Sequence, residues 1–419
     1  MHSTGPASWR RGKRMGIEIR TLREDELEAY LRLDAYAFGY ELTPEQVTRY
    51  RAHARPEWML AAFHDGRMVS HLLAYPWRMA INGTRVALAG VADVATWPEH
   101  RRAGYTGALL HASLGWMRER DLVLAMLYPT FYALYRRFGW ALAAEKRRYA
   151  APATAFAPAA FAALAAGRAE RLTADLIGAL GSMYDRWLAS ANGALERDEA
   201  HWRWRTLYSR AGPPHAVQWR GANGEADGYV LYRGPQRGPG REAAPDQELD
   251  VLELVALTPD GYRGLITYLA RNDLVRRLHW SGPPDDPVRS LITDPAAVHV
   301  EAQPSFMLRL VDVPRALVAR GYLPGPPTRL IVQVRDAVAP WNDGSWALTV
   351  EDGAARVVRT SADPHLSLDV ATLAALYNGF LSPRHACLTG LVRVTDHAAL
   401  DAASRLFAVT TPPFCPDYF

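Results

Sequence analysis

The sequence predicts an α+β protein made of three consecutive units, and three observations carry that prediction. A strand, two helices and a meander of strands open the chain, a similar order of strands, turn, helix and strand returns after about residue 150, and the composition changes again near residue 301. A chain of 419 residues, 49% of them hydrophobic, is also long for one compact unit at about 100–200 residues per domain, so each unit can bury its own core.

The first unit is expected over residues 15–150. Residues 17–22 (IEIRTL) alternate like a strand, residues 24–39 (EDELEAYLRLDAYAFG) have helical spacing, and residues 43–54 (TPEQVTRYRAHA) open on a Thr cap. Residues 58–97 read as strands broken at His-Asp-Gly and Asn-Gly, both turn formers. A helix over residues 106–121, a strand over 122–129, a short helix in FYALYRRFGW (131–140) and a closing strand over 141–150 complete the unit.

Residues 151–170, rich in Ala and Pro, suit a connector running into a helix. The second unit, 151–300, has helices expected at 172–190 and 198–210, strands at 215–221, 226–234 and 249–257, and a helix at 260–273. The Gly- and Pro-rich residues 234–247 read as a long exposed hairpin loop. The third unit, 301–419, begins with a strand running into a helix (305–320), continues with alternating strands at 329–336 and 344–360, and closes with helices at 369–380 and 396–407. Residues 1–14 are expected to be a flexible extension, with Met15 as an alternative start.

Composition narrows the class of function. The net charge is only +4 with both signs interspersed, which marks neither a nucleic-acid surface nor a polybasic membrane anchor. No apolar run of about 18 residues appears, and the basic N-terminus lacks the apolar stretch of a signal peptide. Two cysteines, Cys387 and Cys415, make neither a disulfide framework nor a zinc cluster, so a cytoplasmic protein without a bound metal is expected.

One motif carries chemistry. In DVATWPEHRRAGYTGALL (93–110) a strand passes through an Arg-rich turn into a helix that begins near Gly104. The first N–H groups of a helix are unpaired and its dipole is positive there, so the turn is suited to an anion. Arg101 and Arg102 reinforce it and Gly104 allows close approach, which makes a diphosphate the natural guest. The same string also fits a plain solvated helix start. The corresponding turn of the second unit, LTPDGYRGLI, carries Asp260 and lacks the paired arginines, so one such site per chain is expected.

VATWPEHRRAGYTGALL resembles the acetyl-CoA motif of the GNAT N-acetyltransferases, met by Arg101 and Gly104 and departed from at Thr106. With LYRRFGW about thirty residues on, and an ending LFAVTTPPFCPDYF, the chain from Ile17 to Phe419 resembles the enhanced intracellular survival (Eis) family. The resemblance implies an N-terminal GNAT domain, a degenerate second GNAT domain and a sterol-carrier-protein-like C-terminal domain. It implies that acetyl-CoA is held by Val94, Ala95 and Thr96 along the pantetheine arm, by Arg101, Arg102, Ala103, Gly104, Tyr105, Thr106 and Gly107 at the pyrophosphate, and by Thr130 and Phe131 near the thioester. It further implies Tyr135 as general acid, the Phe419 carboxylate as general base, primary amines such as aminoglycosides or protein lysines as acceptors, and a homohexamer.

The residues suit those roles chemically. A phenol with a pKa of about 10 can donate to a thiolate whose thiol lies near about 8.5, while a C-terminal carboxyl near about 3.5 is a weak base that acts by orienting the ammonium and taking its proton through water. A cationic acceptor needs carboxylates and aromatic walls, for which Asp34, Phe38, Asp93 and Asp417 are candidates. The spacing of Tyr128, Tyr132 and Tyr135 equally fits a stripe packed into a core. His100, His111 and His385, the Trp202 and Trp204 pair and both cysteines read as surface or packing residues. Two other readings stay open at this point: an N-acyltransferase using longer acyl-CoA, and a lipid or sterol carrier acting through residues 301–419.

Overall fold

The computed structural model describes residues 16–156, 166–208, 212–236 and 247–419. The expected N-terminal extension therefore lies outside the described residues, as does most of the loop expected at 234–247.

The first sheet has seven strands in the order β1-β2-β3-β4-β5-β14-β6. These are β1 (Ile17–Thr21), β2 (Met59–His64), β3 (Arg67–Ile81), β4 (Thr84–Thr96), β5 (Leu124–Leu127), β6 (Ala141–Leu142) and β14 (Met307–Leu310). The turns between β2, β3 and β4 fall at the two predicted dipeptides, where Asp65 and Asn82 adopt positive φ ahead of Gly66 and Gly83. Helix α1 (Leu27–Phe38) ends at Gly39 in the left-handed conformation, and α2 (Pro44–His53) starts from a capping box in which Thr43 and Gln46 bond each other's backbone N–H. Helix α3 (Tyr105–Arg118) crosses between the parallel strands β4 and β5, and α4 (Tyr132–Arg136) is a short turn after β5.

The second sheet repeats this plan in the order β13-β7-β12-β11-β10-β9-β8. It contains β7 (Glu145–Pro152), β8 (Gly167–Leu172), β9 (His215–Gly221), β10 (Ala226–Gln236), β11 (Gln247–Ala256), β12 (Val275–Gly282) and β13 (His299–Pro304), with a helix at Pro259–Ala270 between the parallel β11 and β12. The connector expected to run into a helix leads instead into β8, which pairs antiparallel with β9. Alternating contacts with that neighbour decide the conformation, and an Ala-rich composition alone does not report them.

The closing strand expected at 141–150 is two strands in two sheets. β6 joins the first sheet and β7 the second, and β13 and β14 run antiparallel beside them in the same division. Ala143 N–H donates to Phe306 O and Ser305 N–H to Ala144 O where the ribbon passes between sheets, so one continuous two-stranded ladder fuses the units. The expected start of the third unit at residue 301 is corrected accordingly: residues 299–304 belong to the second sheet and 307–310 to the first. The third unit's own sheet, β17-β16-β15-β18-β19, begins with β15 (Thr328–Arg335) and continues through β16 (Gly344–Glu351), β17 (Ala354–Arg359), β18 (Leu366–Asp369) and β19 (Arg393–Val394). It packs on one face of the first sheet, where Met79, Leu88 and Leu308 share a core with Leu330 and Leu373. The buried Arg309 on β14 pairs with Asp336 at 2.6 Å across that junction.

Candidate active site

β4 and β5 pair in parallel only from Leu88↔Leu124 to Gly90↔Met126. Beyond Gly90, β4 continues six residues to Thr96 without a β5 partner, which leaves a strand edge open. The cause is local: the register with β3 shifts between Ala95↔His71 and Ala92↔Leu73, and Asp93 within that bulge has a φ of +52°. Val94, Ala95 and Thr96 thus lie on a free edge, their positions fixed from the other side by Ser70, whose hydroxyl reaches Ala95 O and Thr96 Oγ1, both at 2.8 Å.

The chain then turns through Arg101 to Gly104 into α3. Arg102 (φ +64°) and Gly104 (φ +88°) are both left-handed, and the N-cap Gly104 has no side chain to satisfy the first N–H groups of the helix. Thr106 closes the loop onto the strand through a 2.7 Å hydroxyl contact with Thr96, and Arg101 Nε donates to Thr96 O. Arg101, Arg102, Ala103 and Gly104 are exposed, and among the described residues neither arginine is in an ion pair. Gly107 allows Phe138 to pack closely, since a Cβ there would stand 3.1 Å from its ring. The free edge and this uncapped helix start fit a thioester cofactor with a diphosphate.

β5 delivers Thr130 and Phe131, both exposed, and then α4. Tyr135 is 7% exposed and belongs to the same apolar core cluster as Val91, Leu109, Leu110 and Leu127, with Trp140 edge-on at 6.2 Å. Burial pushes its phenol up to about 12, so it stays protonated at neutral pH. Tyr132 is partly buried against the same cluster.

The C-terminus lies against the other side of β3 and β4. The Phe419 ring meets Trp77 edge-on at 4.8 Å and Tyr128 at 5.2 Å. Gly90 makes this possible, because a Cβ on it would stand 2.3 Å from the Trp77 ring and 3.3 Å from Phe419 Cε2. Among the described residues the Phe419 carboxylate has no cation within ion-pair distance. The open β4 edge and the terminal residue therefore meet the same strand at Gly90.

Next to Trp77, Tyr75 is stacked at 4.5 Å with an interplanar angle of 6°, and the Arg205 guanidinium lies over both rings, at 4.3 and 5.4 Å. Asp34 and Asp93 belong to this side. Tyr40 donates to Asp34 at 2.8 Å and Tyr30 to Asp93 at 2.9 Å. Asp34 is buried with one carboxylate oxygen unpaired, and burial together with the Asp93 charge raises it to about 7. His71, stacked on Tyr30 at 3.9 Å, is driven down to about 3 by burial and is neutral. Phe38 stands at the exposed end of α1, 52% accessible.

Asp417, expected on the acceptor pocket, is corrected. Arg197 Nη2 lies 2.9 Å and His201 Nε2 3.0 Å from its Oδ1. Burial pushes this carboxyl up, but the Arg197 charge and the His201 hydrogen bond outweigh it and hold it at about 2. The carboxylate is occupied within the protein and anchors the chain end. Trp77, Arg197, His201 and Arg205 are brought to the site by the tertiary structure. Trp77 has a faint sequence signal in the Tyr-Pro-Trp alternation of β3, whereas the other three come from the second unit and have none. His201 and Trp202 are core residues, Trp204 packs on His53 at 4.2 Å, and Cys415 is a buried thiol pushed far up by burial. Among the described residues no group of three His, Cys, Asp or Glu is arranged for a metal, and no helix is long and apolar enough to cross a membrane. A cavity of about 540 Å³ beside β8 and β9, lined by Trp219, Tyr232 and Tyr268, shares none of the residues described above.

Comparison with known proteins agrees with this layout. An acetyltransferase (GNAT) domain model matches residues 18–143, a second acetyltransferase (GNAT) domain model matches 193–310, and a sterol carrier protein domain model matches 313–416. The chain is 31% identical to an uncharacterized N-acetyltransferase of Streptomyces griseus, over 97% of this chain and 100% of the relative. It is 27% identical to N-acetyltransferase Eis of Mycobacterium bovis, over 95% of this chain and 98% of the relative. Among solved structures, Eis1 from Mycobacterium abscessus is 30% identical with a TM-score of 0.81, covering 96% of this chain and 100% of that one. A GCN5-related N-acetyltransferase from Anabaena variabilis, 22% identical, shares the fold with a TM-score of 0.85. With two GNAT domains, a sterol-carrier-protein-like domain and full-length relatives of this kind, the chain belongs to the Eis family of GNAT N-acetyltransferases and is an acyltransferase.

Proposed function

We propose that the protein transfers the acetyl group of acetyl-CoA to a primary amine at the open edge of β4, with Tyr135 as general acid and the Phe419 carboxylate as general base. The observation that carries this reading is the meeting of two features at Gly90: the partnerless β4 edge, which continues into an uncapped helix start, and the chain terminus, wedged between Trp77 and Tyr128.

Val94, Ala95 and Thr96 offer backbone groups to the pantetheine arm, and Arg101 through Gly107 hold the diphosphate. The terminal carboxylate attracts the acceptor ammonium and takes its proton, directly or through a water. The amine nitrogen then forms a bond to the thioester carbonyl carbon, the C–S bond breaks, and the Tyr135 hydroxyl passes its proton to the departing sulfur; the second proton that the nitrogen sheds as the amide forms passes through water to the tyrosinate, which restores Tyr135. A phenol held at about 12 is a weak donor to a thiolate in water, but an apolar wall that disfavours a tyrosinate disfavours a free thiolate as well. Proton transfer is then concerted with C–S cleavage. Asp34 and Asp93, beside the Tyr75 and Trp77 rings, favour a cationic amine, so aminoglycosides, simple diamines and lysine peptides are the acceptors to screen.

The test is CoA release over that panel, followed by Tyr135→Phe. The variant is expected to lose about 10²–10⁴-fold in kcat with its acetyl-CoA Kd unchanged. Wild-type kcat in the variant would refute the acid assignment. Extending the chain past Phe419 converts the carboxylate into an amide, and an extended enzyme with full turnover would refute the base.

A further inference from the structure

The second sheet has the same opening as the first. β11 and β12 pair in parallel from Gln247↔Val275 to Val251↔Trp280, with a helix crossing between them, and β11 then runs on to Ala256 without a β12 partner. In the first sheet the matching opening is the cofactor cleft. Here the helix start is capped: Thr258 accepts from Gly261 N–H, and Asp260 in the first turn is paired with Arg263. An anion has no seat there. Instead, residues 414–418 of the chain's own C-terminus line the space between Glu253 on β11, Trp280 on β12 and Tyr262 on the crossing helix, leaving a cavity of only about 80 Å³.

The tail is bound there by polar groups as well as by packing. Arg197, fully buried, reaches Asp417 through Nε at 3.0 Å and Glu253 through Nη1 at 3.0 Å. Tyr229 donates to the same Glu253, His201 reaches Asp417, and Tyr128 donates to the Asp417 carbonyl. Upstream, Phe414 N–H donates to Asn192 O at 2.8 Å and Asn192 Nδ2 to Thr411 O at 2.9 Å. Burying a guanidinium between two carboxylates is a poor route to stability compared with apolar packing, but once formed it cannot release one partner without leaving a buried charge uncompensated. Two residues past Asp417 span at most about 7 Å, so fixing Asp417 confines the terminal carboxylate to the neighbourhood of Gly90.

We propose that the strand opening of the second GNAT domain is a receptacle for the chain's own C-terminus, and that Arg197 is a positioning residue which, through Asp417, sets the Phe419 carboxylate in the active site of the first domain. The clamp itself rests on geometry; its catalytic meaning rests on the function proposed above. The second GNAT domain thereby has a role in the reaction: its strand opening holds a segment of the enzyme.

The test uses the full chain and an aromatic-specific carboxypeptidase. Asp417→Asn keeps the shape of the side chain and removes its charge, and it is expected to release Phe419 at least tenfold faster than wild type. Its kcat should fall at least tenfold while the acetyl-CoA Kd stays within twofold, a split that general unfolding would not produce. Arg197→Lys keeps a buried cation but loses the forked geometry, and it should show an intermediate release rate; it carries the comparison if Asp417→Asn does not fold. Release within twofold of wild type overturns the clamp. Fast release with unchanged kcat overturns the positioning role. If the wild-type protein turns over no amine at all, the release measurement still decides the clamp, and the proposed acetyl transfer is what fails.

Discussion

Gly90→Ala adds a single methyl group at the point where the open strand edge and the chain terminus meet. The new Cβ would stand 2.3 Å from two Trp77 ring carbons and 3.3 Å from Phe419 Cε2. Restoring a contact of about 3.7 Å requires the indole to retreat by roughly 1.4 Å. Trp77 is stacked flat on Tyr75, covered by Arg205 and in edge contact with Phe419, so its movement carries the terminus along. Overpacking of this kind costs about 1–3 kcal/mol of stability, and a displacement of about 1 Å at a reacting group costs up to about 10²-fold in rate. The expected result is a kcat lower by about 10²-fold with the acetyl-CoA Kd unchanged, because residues 94–107 are untouched. CoA release measured with a thiol reagent gives kcat, and titration calorimetry gives the Kd. A folded variant whose kcat lies within threefold of wild type would show that the terminus does not act from its seat on Gly90.

Further outcomes follow from the structure. Titration with acetyl-CoA should saturate at one equivalent per chain, since the second helix start is capped by Thr258 and carries Asp260; two equivalents would contradict this. Burial and the Asp93 charge hold Asp34 at about 7, so it gains its charge as pH rises through 7 and the KM for a cationic amine should fall between pH 6 and 8, a dependence that Asp34→Asn should abolish. The same raised pKa means that the native state binds the Asp34 proton more tightly than the unfolded chain, so this group's contribution to stability declines as pH rises from about 4 to about 7. Arg309→Leu leaves Asp336 buried without its cation and should cost about 3–5 kcal/mol; an unshifted thermal unfolding curve would show that the third domain does not depend on that pair.

Much of this was legible in the chain because it depends on near neighbours. Strand and helix periods, the His-Asp-Gly and Asn-Gly turns and the Thr43 cap are set by residues a few positions apart. So is the left-handed Arg102 and Gly104 turn into α3, whose uncapped N–H groups are a property of the local backbone. The resemblance at VATWPEHRRAGYTGALL and LYRRFGW pointed to the family, which the full-length relatives bear out.

What local pattern could not convey is which distant partner wins. β6 and β7 read as one strand, but the ladder they form with β13 and β14 divides them between two sheets, a choice made by pairing with residues 149 to 167 positions away. Asp417 looked like one more carboxylate for a cationic acceptor, but a buried guanidinium 220 residues earlier in the chain claims it, since an ion pair removed from water excludes other partners. The aromatic side chain of Phe419 is an attribute of the sequence. Its place opposite Gly90 exists only once the second domain has folded around the tail, because no local interaction could hold a chain end there against its conformational entropy.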